Sequence, residues 1–203
     1  MSKLFIIILG CFFSALVVAA GVEDIDQWAM VTIGKEDPYY IIPREFSVQN
    51  TEHRKTPYSY EQFTYQEGDN GSNWLQRIHL MATNGKPDPN GNSVDLTKQL
   101  IGDGVRKNCP NDYFQIQKEA AKDKKLTVLM GCRKFAGDDS LGLVAYHFFI
   151  ESAGSMYVVA REAKVTSYES VPFSESELES WKAHLERTVI CAKGDVCIHK
   201  KIK

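Results

Sequence analysis

Three kinds of apolar pattern follow one another along the chain. The first is a block. Leu4 to Val18 is a nearly unbroken apolar run, with Lys3 before it and Val18-Ala19-Ala20 closing it, and Gly21-Val22-Glu23-Asp24 turns polar at once. A short positive start, an apolar stretch below the roughly 20 residues of a membrane span and small closing residues predict a signal peptide over 1–20. Ile8-Leu9-Gly10-Cys11 also resembles a bacterial lipobox. Lipidation at Cys11 would leave Phe12 to Val18 on the mature protein as an exposed apolar tether, so cleavage after Ala20 is the favoured reading.

The second pattern is helical. Ser174-Glu175-Ser176-Glu177 is a capping box, with Pro172 blocking any helix upstream, Phe173 before the cap and Leu178 at the staple position. Leu178, Trp181, Leu185 and Val189 recur at helical spacing and predict a helix running to about Ile190. The opposite face carries Glu175, Glu179, Lys182 and Glu186, a solvated pattern. Another helix follows Asn92-Ser93 with Leu96, Leu100 and Val105 as its stripe, its second half weakened by Gly102 and Gly104.

The third pattern is β. Gln27–Ile33, Tyr60–Gln66 and Trp74–Ala82 predict strands before the first helix, and Tyr113–Glu119, Lys125–Arg133, Leu141–Glu151 and Met156–Val165 predict a meander after it. Ala121–Lys124, Gly137–Ser140 and Ser152–Ser155 are short enough for hairpin connections. Leu141–Glu151 is apolar on both sides: Leu143, Ala145 and Phe149 on one, Val144, Tyr146, Phe148 and Ile150 on the other. A strand buried on both sides needs layers above and below it. With two helices and an irregular segment over 37–50 to supply them, the pattern predicts an α+β fold, one antiparallel β-sheet covered by helices on both faces. That element order resembles the Mog1/PsbP type of α/β/α sandwich. The resemblance is one of order alone, so it implies an architecture and carries no functional residue.

Composition places the chain among ordinary globular proteins: 203 residues, 43% hydrophobic and 25% charged. The segment 21–198 is the size of a single domain, with 199–203 as a basic tail containing His199, Lys200, Lys201 and Lys203. The formal net charge of −2, which falls to about −3 when Lys3 leaves with the signal, argues against a nucleic-acid partner. Cys109, Cys132, Cys191 and Cys197 remain in the mature chain. An even count in an exported protein predicts two disulfides, with spacing favouring 109–132 and 191–197. No C-x₂-C pattern suggests zinc.

Candidate chemistry is sparse. The chain has no G-x-S-x-G elbow, no H-E-x-x-H and no Gly-rich phosphate loop after a strand. No cofactor is expected and no catalytic residue is assigned. One constellation is possible. A two-residue turn at Ala153-Gly154 would put His147 and Glu162 on one face of their hairpin, while Arg77 and His79 share a face of an earlier strand. If the faces coincide, Arg77, His79, His147 and Glu162 form a polar patch able to bind an anion or perform acid–base chemistry. Among Leu143, Ala145 and Phe149, His147 also fits as a core residue. Tyr39, Tyr40, Tyr58, Tyr60, Phe63 and Tyr65 concentrate aromatic area in the N-terminal third, for recognition or for packing.

Together these features predict an exported, non-enzymatic protein that binds a protein or small ligand in the periplasm or outside the cell, with no membrane span once the signal is removed. A secreted host-interaction or virulence factor is a variant of that reading. A small hydrolase using His147 and Glu162 is the alternative.

Overall fold

A computed structural model describes residues 27–117 and 122–195. The predicted signal peptide, Cys11, Glu119, Cys197 and the basic tail lie outside the described residues. The elements are β1 (Gln27–Met30), β2 (Glu36–Ile42), β3 (Phe46–Lys55), β4 (Ser59–Gln66), β5 (Gln76–Thr83), α1 (Ser93–Asn108), β6 (Tyr113–Ile116), β7 (Lys125–Cys132), β8 (Leu141–Glu151), β9 (Met156–Thr166), α2 (Glu175–Glu186) and β10 (Val189–Ala192). They build a seven-stranded sheet in the order β3-β4-β5-β9-β8-β7-β6 and a three-stranded sheet in the order β1-β2-β10. All the strand pairs are antiparallel.

This architecture overturns the expected sheet with helices over both faces, and the Mog1/PsbP-like order with it. The described residues are mostly β, 47% strand against 17% helix, in two antiparallel sheets. Much of the layer over one face of the large sheet is the small sheet. Tyr40, Ile42 and Phe46 pack there with Ile78, Leu80, Val144, Tyr146, Phe148 and Val159, and Trp181 and Leu185 of α2 join the same core. On the opposite face α1 packs against β6 to β9, with Val94 and Ile101 over Leu126, Val128, Phe149 and Val158. The demand of β8 for burial on both sides is real. The layer that the sequence pattern does not show is the small sheet, which shares one face with α2.

The physical reason lies in the segment read as irregular. Residues 37–50 contain most of β2 and the first half of β3, and Tyr40, Ile41 and Ile42 are buried. Pro38 hides this strand from a pattern reading, since it cannot donate to a ladder. It sits between β1 and β10, and its carbonyl accepts the Val31 N–H. The second correction follows from the first. The helix begun at Ser174 ends at Glu186 instead of near Ile190, and Val189–Ala192 leaves it to pair with Glu36–Tyr39 of β2. Its N-terminus forms as the sequence predicts. Ser174 N–H donates to Glu177 Oε2 at 2.8 Å, and Glu177 N–H donates to Ser174 Oγ at 3.3 Å.

In α1 the buried positions are Ser93, Val94, Thr97 and Gly102, while Leu100, expected on the stripe, is 58% exposed. Gly102 is the point of close approach to β6: a Cβ there would lie 2.8 Å from the Tyr113 hydroxyl. Its C-terminus is tied to β7 by the Cys109–Cys132 disulfide, with a Cα separation of 5.7 Å. Cys191 is also disulfide-bonded.

Candidate functional site

Antiparallel register brings the four predicted patch residues together. His79 on β5 stands opposite Ala160 on β9, and Ala160 stands opposite His147 on β8. In the neighbouring rank Arg77 faces Glu162, which faces Ala145. Directly opposed residues point to the same face of a sheet, so the two alanines leave a notch that the longer side chains fill. This is the face that carries α1.

Glu162 is the hub. Two guanidinium nitrogens of Arg77 donate to its Oε2, Nε at 2.7 Å and Nη2 at 2.6 Å. His79 Nδ1 lies 3.2 Å from its Oε1. Burial alone would push the carboxyl up. The Arg77 charge and the His79 hydrogen bond outweigh it and hold Glu162 well below the usual carboxylate range. Arg77 is clasped in turn by rings, its guanidinium carbon 4.5 Å from the Phe63 centroid and 4.1 Å from that of Trp74. Phe63 also stacks on His79, with centroids 4.4 Å apart.

His147 is more deeply placed. It is 4% exposed, and burial pushes its proton affinity down to about 4 from 6.5, with Glu162 opposing that shift. His147 Nδ1 and His79 Nε2 are buried and have no partner among the described residues.

What this cluster can do chemically follows from its charges. A general base works best with a proton affinity near the ambient pH. Glu162 is locked as an ionised acceptor, and its charge is already spent on Arg77. His147 is a neutral core imidazole at any pH above about 4. The arrangement is that of a structural ion pair sealed by aromatic rings. Among the described residues no group of three or more His, Cys, Asp or Glu side chains could hold a metal ion.

The aromatic residues of the N-terminal third divide. Tyr40, Phe63 and Tyr65 are buried, whereas Tyr58 is 82% exposed at the turn between β3 and β4. They serve packing far more than they form one recognition surface.

A different place has the shape of a binding site. A cleft of about 1330 Å³ opens between the two sheets, lined by the Ile33–Glu36 turn, Lys55, Tyr60, the end of β5, the Ser152–Ser155 hairpin and β10. Its apolar lining includes Ile33, Ala82, Ile150, Val189 and Ile190. Within it the Glu36 Oε2 accepts from Ser152 Oγ at 2.8 Å and from the Tyr157 hydroxyl at 3.0 Å. Tyr157 is fully buried, and burial, with Glu36 beside it, holds its hydroxyl protonated above the usual phenol range. Sequence reasoning missed Glu36 altogether. Its partners are 116 and 121 residues away, and no local motif announces such a contact. Among the described residues no helix is long and apolar enough to cross a membrane. Compared with known protein families and with curated proteins, the chain matches none.

Proposed function

We propose that this is an exported binding protein, disulfide-stabilised and without turnover of its own, and that its small ligand enters the cleft between the two sheets. The observation that carries the reading is the cleft. At about 1330 Å³ it is at or above the size of small-molecule sites, and it combines apolar walls with a few placed polar groups. Export is supported by the signal-like residues 1–20 and by the Cys109–Cys132 disulfide, a bond that persists in oxidising compartments. The binding-only reading is supported by the Arg77–Glu162 pairing and by His147, neither of which offers a base near neutral pH.

The test is a thermal-shift screen of small metabolites against the wild type and Gly154→Trp. A compound that raises the melting temperature of the wild type but not of Gly154→Trp is the expected result, because residue 154 lines the cleft and a Cβ there meets nothing closer than the Glu36 carboxylate at 3.8 Å. A compound that is chemically converted, with conversion lost in His147→Ala while folding is kept, overturns the binding-only reading in favour of a hydrolase. Fractionation of the producing cell checks export: the protein belongs in the envelope or the medium, and a cytoplasmic pool alone contradicts it.

A further inference from the structure

We infer that Glu36 anchors the free amino end of a short peptide in the intersheet cleft, an inference that rests on the binding reading above and names the ligand class.

The argument starts from an imbalance of charge. Glu151, the other carboxylate of the cleft, is already paired with Lys86 at 3.1 Å and Lys124 at 3.0 Å. Glu36 has no such partner. Both its hydrogen bonds come from neutral hydroxyls, both land on Oε2, and no ion pair with another described residue reaches it. An ionised carboxylate against the lining of a part-apolar cleft is stabilised by a charge-assisted hydrogen bond, and an ammonium supplies one at Oε1.

Position is also built. The Tyr157 hydroxyl comes from the floor of the large sheet, while Glu36 begins β2 of the small one. The carboxylate is therefore fixed where the two sheets meet, before any ligand arrives, which lowers the ordering cost of binding. The approach is kept open by Gly154. A Cβ at that position would lie 3.8 Å from Glu36 Oε2, with no backbone atom within 4 Å, so a larger side chain there starts beside the anchor.

The rest of the lining fits a peptide better than a simple amine. Lys35 and Lys55 also line the cleft, and neither forms an ion pair with another described residue. A ligand that is only cationic would be repelled by them. A zwitterion places its ammonium on Glu36 and its carboxylate towards the lysines, with apolar side chains against Ile33, Ala82, Ile150, Val189 and Ile190. All four residues of β10 line the cleft, and β10 is an edge of its sheet among the described residues, so backbone pairing with an extended chain is available.

The experiment is isothermal titration of the full disulfide-bonded protein with the tripeptide Ala-Leu-Ala and with its N-acetylated form. The free tripeptide is expected to bind saturably. N-acetylation, or Glu36→Gln in the protein, is expected to weaken binding by about tenfold or more, and Gly154→Leu to abolish it. Glu36→Gln keeps an oxygen to accept from Tyr157, so folding is preserved, and the acetylated peptide tests the same contact in the unaltered protein. Equal binding of the two peptides overturns the inference, as does failure of the free tripeptide to bind at millimolar concentration. If the tripeptide fails while another compound raises the melting temperature in a Gly154-dependent way, the peptide inference falls and the binding reading stands.

Discussion

His147 gives the structure a pH dependence that can be calculated before it is measured. The residue is 4% exposed, and its proton affinity in the fold is pushed down to about 4 by burial, from 6.5 for the free side chain. Above pH 6.5 the side chain is neutral folded or unfolded, and the shift contributes nothing. As pH falls below 6.5 the unfolded chain takes up a proton that the folded chain refuses until about pH 4. Unfolding is therefore favoured progressively, at up to about 1.4 kcal/mol per pH unit, and the loss reaches about 2.5 kcal/mol by pH 4.5. The Glu162 carboxyl, depressed in the fold, contributes in the same direction but over a lower range, beginning near its unfolded value of 4.5. Stopping at pH 4.5 keeps most of that effect out of the comparison. Urea unfolding of the disulfide-intact wild type and of His147→Leu, at pH 7.5 and 4.5, isolates the histidine. The wild type is expected to lose about 2.5 kcal/mol more than the variant between the two pH values. An equal loss in both proteins would refute the reasoning, because it would mean that His147 takes up its proton while folded.

Other perturbations test separate parts of the fold. Trp181→Ala should destabilise by about 3–5 kcal/mol, since the indole is buried among Phe173, Arg161 and the large sheet, while Ser174→Ala should cost only about 1 kcal/mol; chemical denaturation ranks the two, and the reverse order would mean that α2 is not docked through its tryptophan. Replacing Cys109 and Cys132 by serine opens a link between residues 23 apart and should cost about 3 kcal/mol in the same assay; an unchanged midpoint would show that the bridge constrains nothing. Glu162→Gln leaves the Arg77 charge clasped between Phe63 and Trp74 without its carboxylate and should cost about 3 kcal/mol, whereas a neutral or stabilising effect would mark the pair as solvated.

Local signals in the sequence were legible and long-range ones were not. The capping box at Ser174 and the hairpin at Ser152–Ser155 depend on residues within a few positions of each other, and both form. The meander β7-β8-β9 follows from alternation and short turns, and its register places His147 and Glu162 on one face, as a two-residue turn at Ala153-Gly154 requires. The strand at Glu36–Ile42 was hidden for a physical reason. It is buried along most of its length, so it lacks polar–apolar alternation, and Pro38 interrupts its ladder. With that strand unread, the small sheet is not visible in the sequence, Val189 falls on the helical stripe, and residues 37–50 read as irregular cover beside the two helices. The charge cluster was legible as a set of faces, but its neutral character was not. Phe63 on β4 and Trp74 just before β5 close around Arg77, and no spacing in the sequence expresses that enclosure. Glu36 is the extreme case, a residue whose meaning lies wholly in contacts more than 100 positions away.

The binding site itself is tested most directly by amide chemical-shift mapping of the isotopically labelled protein. The probe is the first compound that raises its melting temperature. The account predicts that the shifts concentrate at Ile33–Glu36, Ser152–Ser155 and Val189–Ala192, the walls of the intersheet cleft. Shifts centred instead on Arg77, His79 and Glu162 would contradict it and return the function to the charged face of the large sheet.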